Sequence, residues 1–229
     1  MLVLTLAVTP ALAVAASATP APPPVDPVSE FVDELTAAAA SSRQAAGSLA
    51  DFQSLSLEDQ AAVVEYASDP SVAEALGAVG ANGTIVSHGG DVVTEATTTL
   101  TRTPVRPAAG ALRPAAATAA AQTYNVTATY SVSQKILGFT LTKLTQTFKY
   151  VTGSNIVLRT TSCIATAVNY NFVINIDDES TAYMVGTQAQ CDTVWKGYVL
   201  FKGAAIRMDK VQSQRVSGPG IVWQQLVNA

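Results

Sequence analysis

The chain has 229 residues, 48% of them apolar and 13% charged, with a net charge of −4, two cysteines and a single histidine. That balance excludes a disordered polyelectrolyte, and one histidine beside two cysteines leaves a zinc site short of ligands. Residues 19 to 122 hold twelve acids and four bases, whereas residues 123 to 229 hold five acids and nine bases, so two differently built regions are joined.

The chain opens on an apolar run, Met1 to Val14, with no charge before Asp26 and no base before Arg43. It is shorter than the roughly 20 residues of a membrane span and has the length of a signal-peptide core. Small residues at Ala16 and Ala18 suit signal peptidase, so residues 1–18 are expected to be removed by cleavage between Ala18 and Thr19, with Ala11-Leu12-Ala13 as a second candidate. Membrane contact is expected only through this segment, and residues 19–25 follow as a proline-rich spacer.

Residues 26–100 are expected to form a small helical lobe. Asp26-Pro27 supplies an N-cap and a proline suited to the first helical position, with Phe31 and Leu35 on one face. Ser56-Leu57-Glu58-Asp59 starts another helix, whose buried stripe is predicted as Leu57, Ala61 and Val64. Asp69-Pro70 ends that helix and caps a third, which points Val72 and Leu76 inward and stops at Gly77. The alanine and valine faces promise a thin core of marginal independent stability. Beyond it, Thr84 to Ser87 reads as one short strand, and Val92, Val93 and Leu100 are scattered among threonines. Residues 101–122 are rich in proline and alanine and contain no acid, which predicts a linker.

From Tyr124 the apolar period becomes two: Tyr124, Val126, Ala128, Tyr130 and Val132 share a face. A β-bulge near Lys143 would reconcile Phe139 and Leu141 with Leu144 and Phe148. Turns are expected at Thr152 to Asn155, Asn169 to Asn171, Asp177 to Ser180, Lys202-Gly203 and Ser217 to Gly220. The fold class that follows is α+β: a small N-terminal helical lobe, then a C-terminal antiparallel β-sandwich or barrel of about eight strands over residues 123–229. Cys163 and Cys191 in an exported chain predict a disulfide, which restricts the unfolded chain by about 3 to 4 kcal/mol. Ala189, Cys191, Thr193 and Trp195 fall on one face, with Trp195 expected near the bridge.

Candidate chemistry is sparse. Ser87-His88-Gly89-Gly90-Asp91 holds a nucleophile, a base and an acid, but within a glycine-rich turn, where residues so close in sequence rarely assemble a triad. Asp177-Asp178-Glu179 offers oxygens suited to calcium, and reads more simply as a polar hairpin turn. Asp192 is expected to pair with Lys196, and Asp209 with Arg207 and Lys210. No catalytic residue, metal or cofactor is assigned. Lys135, Lys143, Lys149, Arg159, Lys196, Lys202 and Arg207 are dispersed, which argues against nucleic acid. In composition the chain is similar to exported proteins of GC-rich Gram-positive bacteria. The leading expectation is a secreted or envelope-associated, non-enzymatic binding protein, its partner an anionic cell-wall polymer or another secreted protein. A secreted hydrolase, or an antagonistic toxin or protease inhibitor, are the alternatives. The charge asymmetry adds the expectation that the acidic lobe, tethered by the linker, competes for the face that binds such a polymer.

Overall fold

A computed structural model describes residues 26–77, 79–105, 122–171, 174–201 and 204–229, without the side chains of 199–201 and 204–206. The expected cleavage between Ala18 and Thr19 and the Lys202-Gly203 turn lie outside these residues.

Four helices come first: α1 (Pro27–Ala39), α2 (Arg43–Gln53), α3 (Leu57–Ala67) and α4 (Pro70–Glu74). Each begins on a side-chain cap that satisfies a free N–H of the first turn. Asp26 accepts from Val28, Ser42 from Ala45, Ser56 from Asp59 and Asp69 from Ser71. The buried stripe of α3 is Val63 and Ala67, not Leu57, Ala61 and Val64; Leu57 is 82% exposed. An alanine-rich helix offers two weak stripes, and packing chooses between them.

Ten strands follow: β1 (Thr84–Ser87), β2 (Val92–Pro104), β3 (Tyr124–Ile136), β4 (Phe139–Thr152), β5 (Val157–Asn169), β6 (Ile174–Val185), β7 (Gln188–Phe201), β8 (Ala204–Arg207), β9 (Lys210–Val216) and β10 (Ile221–Asn228). The first sheet is the antiparallel meander β1-β2-β3-β4-β5, and the second has the order β10-β9-β7-β6. β8 pairs with β7 in the register that β9 continues, Tyr198 opposite Arg207 and Trp195 opposite Lys210. The two are thus one strand interrupted at Met208-Asp209. At the break the Met208 N–H donates to the Gly197 carbonyl at 2.9 Å, and a Cβ on Gly197 would lie 2.9 Å from the Met208 oxygen. The sheets face each other as an open sandwich.

Some local expectations hold and others shift. The short strand expected at Thr84 to Ser87 forms as β1, but β2 then begins at Val92, still inside residues 26–100 assigned to the helical lobe. Thr101 to Pro104, expected in the linker, are the last residues of β2 and pair with Tyr124 to Thr127. The Val105 N–H donates to the Thr123 carbonyl, so the proline-alanine segment joins neighbouring strands of one sheet. Asp177 to Ser180 lie within β6 rather than at a turn. The turn falls instead around Gly186, whose φ is 62°. The bulge expected near Lys143 lies at Leu141, where Gln134 pairs with Thr142 and Lys135 with Thr140.

The helices close one end of the sandwich by apolar packing. Phe31 and Phe52 meet Phe139 of β4 with ring centroids 4.8 to 6.0 Å apart, joined by Leu35, Val63, Val92, Ile136 and Tyr170. Polar stitches reinforce this seam. Asn171 donates to the Ala67 carbonyl, Gln134 to that of Val72, and the buried Lys210 ammonium to the Glu74 carbonyl at 2.9 Å and Asn228 at 2.7 Å. Leu76 enters the core beside Tyr130, Leu144, Trp195 and Leu226. Trp195 belongs to this cluster, and Cys191 to a neighbouring one with Val126, Phe148 and Val216.

The space between the sheets is unusually polar. Gln146 donates to the Cys191 carbonyl, the Thr193 hydroxyl and the Gln212 carbonyl; Gln212 donates to the Tyr130 carbonyl and accepts from the Trp195 indole. Gln214 donates to the Gln146 carbonyl and accepts from Gln224. These amides bond backbone and side chains across both sheets, as burial of polar groups demands. The Cys163–Cys191 disulfide joins edge strand β5 to β7 with Cα atoms 5.7 Å apart.

Candidate functional surfaces

The residues weighed for catalysis do not assemble into a catalytic group. His88 Nδ1 lies 3.1 Å from the Ser87 hydroxyl, but the Asp91 carboxylate accepts from Tyr66 at 3.0 Å, and Tyr66 stacks edge-on to His88. The acid that would orient the histidine is therefore engaged elsewhere. A cleft of about 230 Å³ between α1 and α3 is lined by Glu30, Phe31, Glu34, Val64, Ala67 and Asn171 among others. Burial, then the charge of Glu30, raises the Glu34 carboxyl above its usual range. Both acids stand one turn apart on the same helix face, so they cannot flank a scissile bond from opposite sides. Among the described residues no group of three His, Cys, Asp or Glu side chains is placed to hold a metal ion.

Of the expected acid pairs, that of Asp209 with Arg207 forms, whereas those of Asp209 with Lys210 and of Asp192 with Lys196 do not. Asp209 is held by Arg207, and this ion pair with its hydrogen bond draws the Asp209 carboxyl below its usual range. Lys196 pairs with Glu179 at 3.0 Å, not with Asp192. Asp192 instead accepts from the Tyr183 hydroxyl at 2.6 Å and from Gln190 at 2.9 and 3.0 Å. Lys210 turns inward, where burial lowers its pKa.

What the register does organise is two outward faces. On the first sheet, residues that alternate with the buried row Ala96, Tyr130 and Val132 point away from the sandwich. They align across β2, β3, β4 and β5 as Thr97-Ser131-Thr145-Thr166, Thr99-Thr129-Thr147-Ile164 and Thr101-Thr127-Lys149-Ser162. Ten of these twelve positions carry a hydroxyl, on a grid of about 4.8 Å between strands and about 6.8 Å along them. Of these, Ser131 is buried and bonded to the Thr145 hydroxyl at 3.0 Å, and the Ser162 hydroxyl is buried, so the others form the open part of the grid. Threonine favours strands and pairs well across them, which accounts for its stability there. Lys149 within this grid, and Lys143 on β4 and Arg159 on β5 beside it, are exposed and without an ion pair among the described residues. The acid of the adjoining row, Glu95, is already paired with Lys135 at 2.7 Å.

This grid was invisible as a site in the sequence, where its threonines are scattered over four segments. The only signal was the alternation in "TEATTTLTRT", Thr94 to Thr103. No helix among the described residues is long and apolar enough to cross a membrane. Compared with protein-family models, with curated proteins and with solved structures, the chain matches none.

Proposed function

We propose that the protein is an exported, non-enzymatic binding protein of the cell envelope, whose first sheet offers its outer face to an anionic polymer. The observation that carries this reading is the hydroxyl grid with Lys149 in it and Lys143 and Arg159 beside it, where the acid of the adjoining row, Glu95, is already paired with Lys135. A repeating polyanion meets cations at intervals and hydroxyl donors between them, so each contact is weak and their number gives retention. The disulfide supports an oxidising compartment, as do the apolar opening segment and the small residues before Thr19.

In this reading the acidic helical part is a fixed cap on the sandwich rather than the tethered competitor that the charge asymmetry suggests. Its seat on the sandwich end is apolar, built on Phe31, Phe52 and Phe139. The test is retention of the whole mature protein on purified Gram-positive cell walls at low and high salt, before and after extraction of their anionic polymers. Retention is expected at low salt, to fall with salt and extraction, and to drop several-fold in the triple variant Lys143→Gln, Lys149→Gln, Arg159→Gln. Retention indifferent to salt and to the triple variant overturns the proposal.

A further inference from the structure

The outer face of the second sheet is built differently. One register row crosses its four long strands: Tyr183 of β6 lies opposite Gln190 of β7, Gln190 opposite Arg215 of β9, and Arg215 opposite Trp223 of β10. All four point outward, because their neighbours Ala189, Gln214 and Gln224 are buried between the sheets. Three strand spacings put the aromatic positions about 14 to 15 Å apart. Tyr183 is 41% exposed and Trp223 half-buried.

Between the two rings stand planar polar groups. Asp192, beside Gln190 on β7, receives the Tyr183 hydroxyl and the Gln190 amide, so three side chains hold one another in place. The Gln190 amide oxygen takes no hydrogen bond within this trio. Arg215, two strands from Tyr183 with Gln190 between them, opposes in part the effect of Asp192 on the Tyr183 hydroxyl. With Asp192 from the next row, opposite Thr181 and Ser213, the site has aromatic ends, a polar middle and no net charge.

That combination matches one ligand chemistry. A pyranose ring has an apolar C–H face, which stacks on an aromatic ring, and an edge of hydroxyls, which amide, carboxylate and guanidinium groups bond in pairs. A polyanion would need uncompensated cations, which lie on the other sheet, and a stacked nucleic-acid strand would need a basic groove. We propose that Tyr183, Gln190, Asp192, Arg215 and Trp223 form a binding site for a neutral oligosaccharide, whose sugar rings stack on Tyr183 and Trp223. This site lies on a different sheet from the proposed polyanion face and stands or falls separately from it.

The test titrates the whole mature protein with cellohexaose and with N-acetylchitohexaose, by tryptophan emission and by calorimetry. Trp195 is 2% exposed, so an emission change reports Trp223. At least one hexasaccharide is expected to bind with a Kd of about 10 μM to 1 mM. By calorimetry, Trp223→Ala and Tyr183→Ala should each weaken binding about tenfold or more. Trp223→Tyr should keep most of the affinity, and the triple variant at Lys143, Lys149 and Arg159 should change nothing. The proposal is overturned if neither hexasaccharide binds. It is equally overturned if the Tyr183→Ala, Trp223→Ala double variant, with its thermal transition intact, binds like the parent, or if binding is lost with the lysine and arginine substitutions instead.

Discussion

Tyr130 and Tyr150 each bury a phenol hydroxyl without a hydrogen-bond partner among the described residues. Burial pushes both pKa values up to about 12, with Arg102 opposing the shift at Tyr150. The folded-state pKa lies above the ordinary value near 10, so the unfolded chain releases these protons first. No stability is at stake below pH 10, and stability falls as pH rises from about 10 to about 12. Tyr130→Phe and Tyr150→Phe are expected to be neutral or stabilising by about 0 to 1 kcal/mol at pH 7, since each removes an unbonded buried polar group. The double variant should also resist alkaline unfolding better than the parent, as followed by urea denaturation at pH 7 and pH 11. An equal loss of stability in both proteins at pH 11 would show that these phenols do not titrate with unfolding.

Among the elements, β5 and the β3-β4 hairpin show how local chemistry places a strand. Leu137 and Gly138 both take positive φ, 50° and 86°, as a two-residue turn matched to strand twist requires. The Leu137 N–H donates to the Asp91 carbonyl at 2.7 Å, which ties that turn to the start of β2. β5 is the edge of the first sheet and pairs only with β4; Cys163 fastens it across the sandwich to Cys191 on the central strand β7. Replacing both cysteines by alanine should cost about 3 to 4 kcal/mol in urea denaturation, the value for closing a loop of this size in the unfolded chain. A loss below about 1 kcal/mol would mean that β4 and the sheet interface already hold β5 without the bridge.

At the scale of the whole molecule, helices and sheets share one interior. Leu76 lies beside Trp195, Phe52 packs on Phe139, and Lys210 reaches from β9 to the last carbonyl of α4. Unfolding should therefore be a single transition, with the helical far-ultraviolet signal and the Trp195 emission melting at the same temperature. A helical signal lost well before the tryptophan signal would mean an independently unfolding lobe, as the thin alanine faces of the sequence suggested.

Capping and alternation were legible in the chain because they are local. Asp26, Ser56 and Asp69 announce helix starts through side chains that reach their own first turn, and Tyr124 to Val132 announces a half-buried strand through its period of two. The cystine followed from the presence of only two cysteines. Only the tertiary structure decided that Thr101 to Pro104 continue a strand, because their pairing partners, Tyr124 to Thr127, lie beyond the proline-alanine segment. It alone chose Val63 and Ala67 over Leu57 as the buried face of α3, since Leu57 has no neighbour to cover it while Val63 joins the core of Phe31 and Phe139. The hydroxyl grid and the Tyr183-Gln190-Arg215-Trp223 row exist through register: residues up to tens of positions apart become neighbours about 4.8 Å apart by strand pairing, which no local pattern in the sequence encodes.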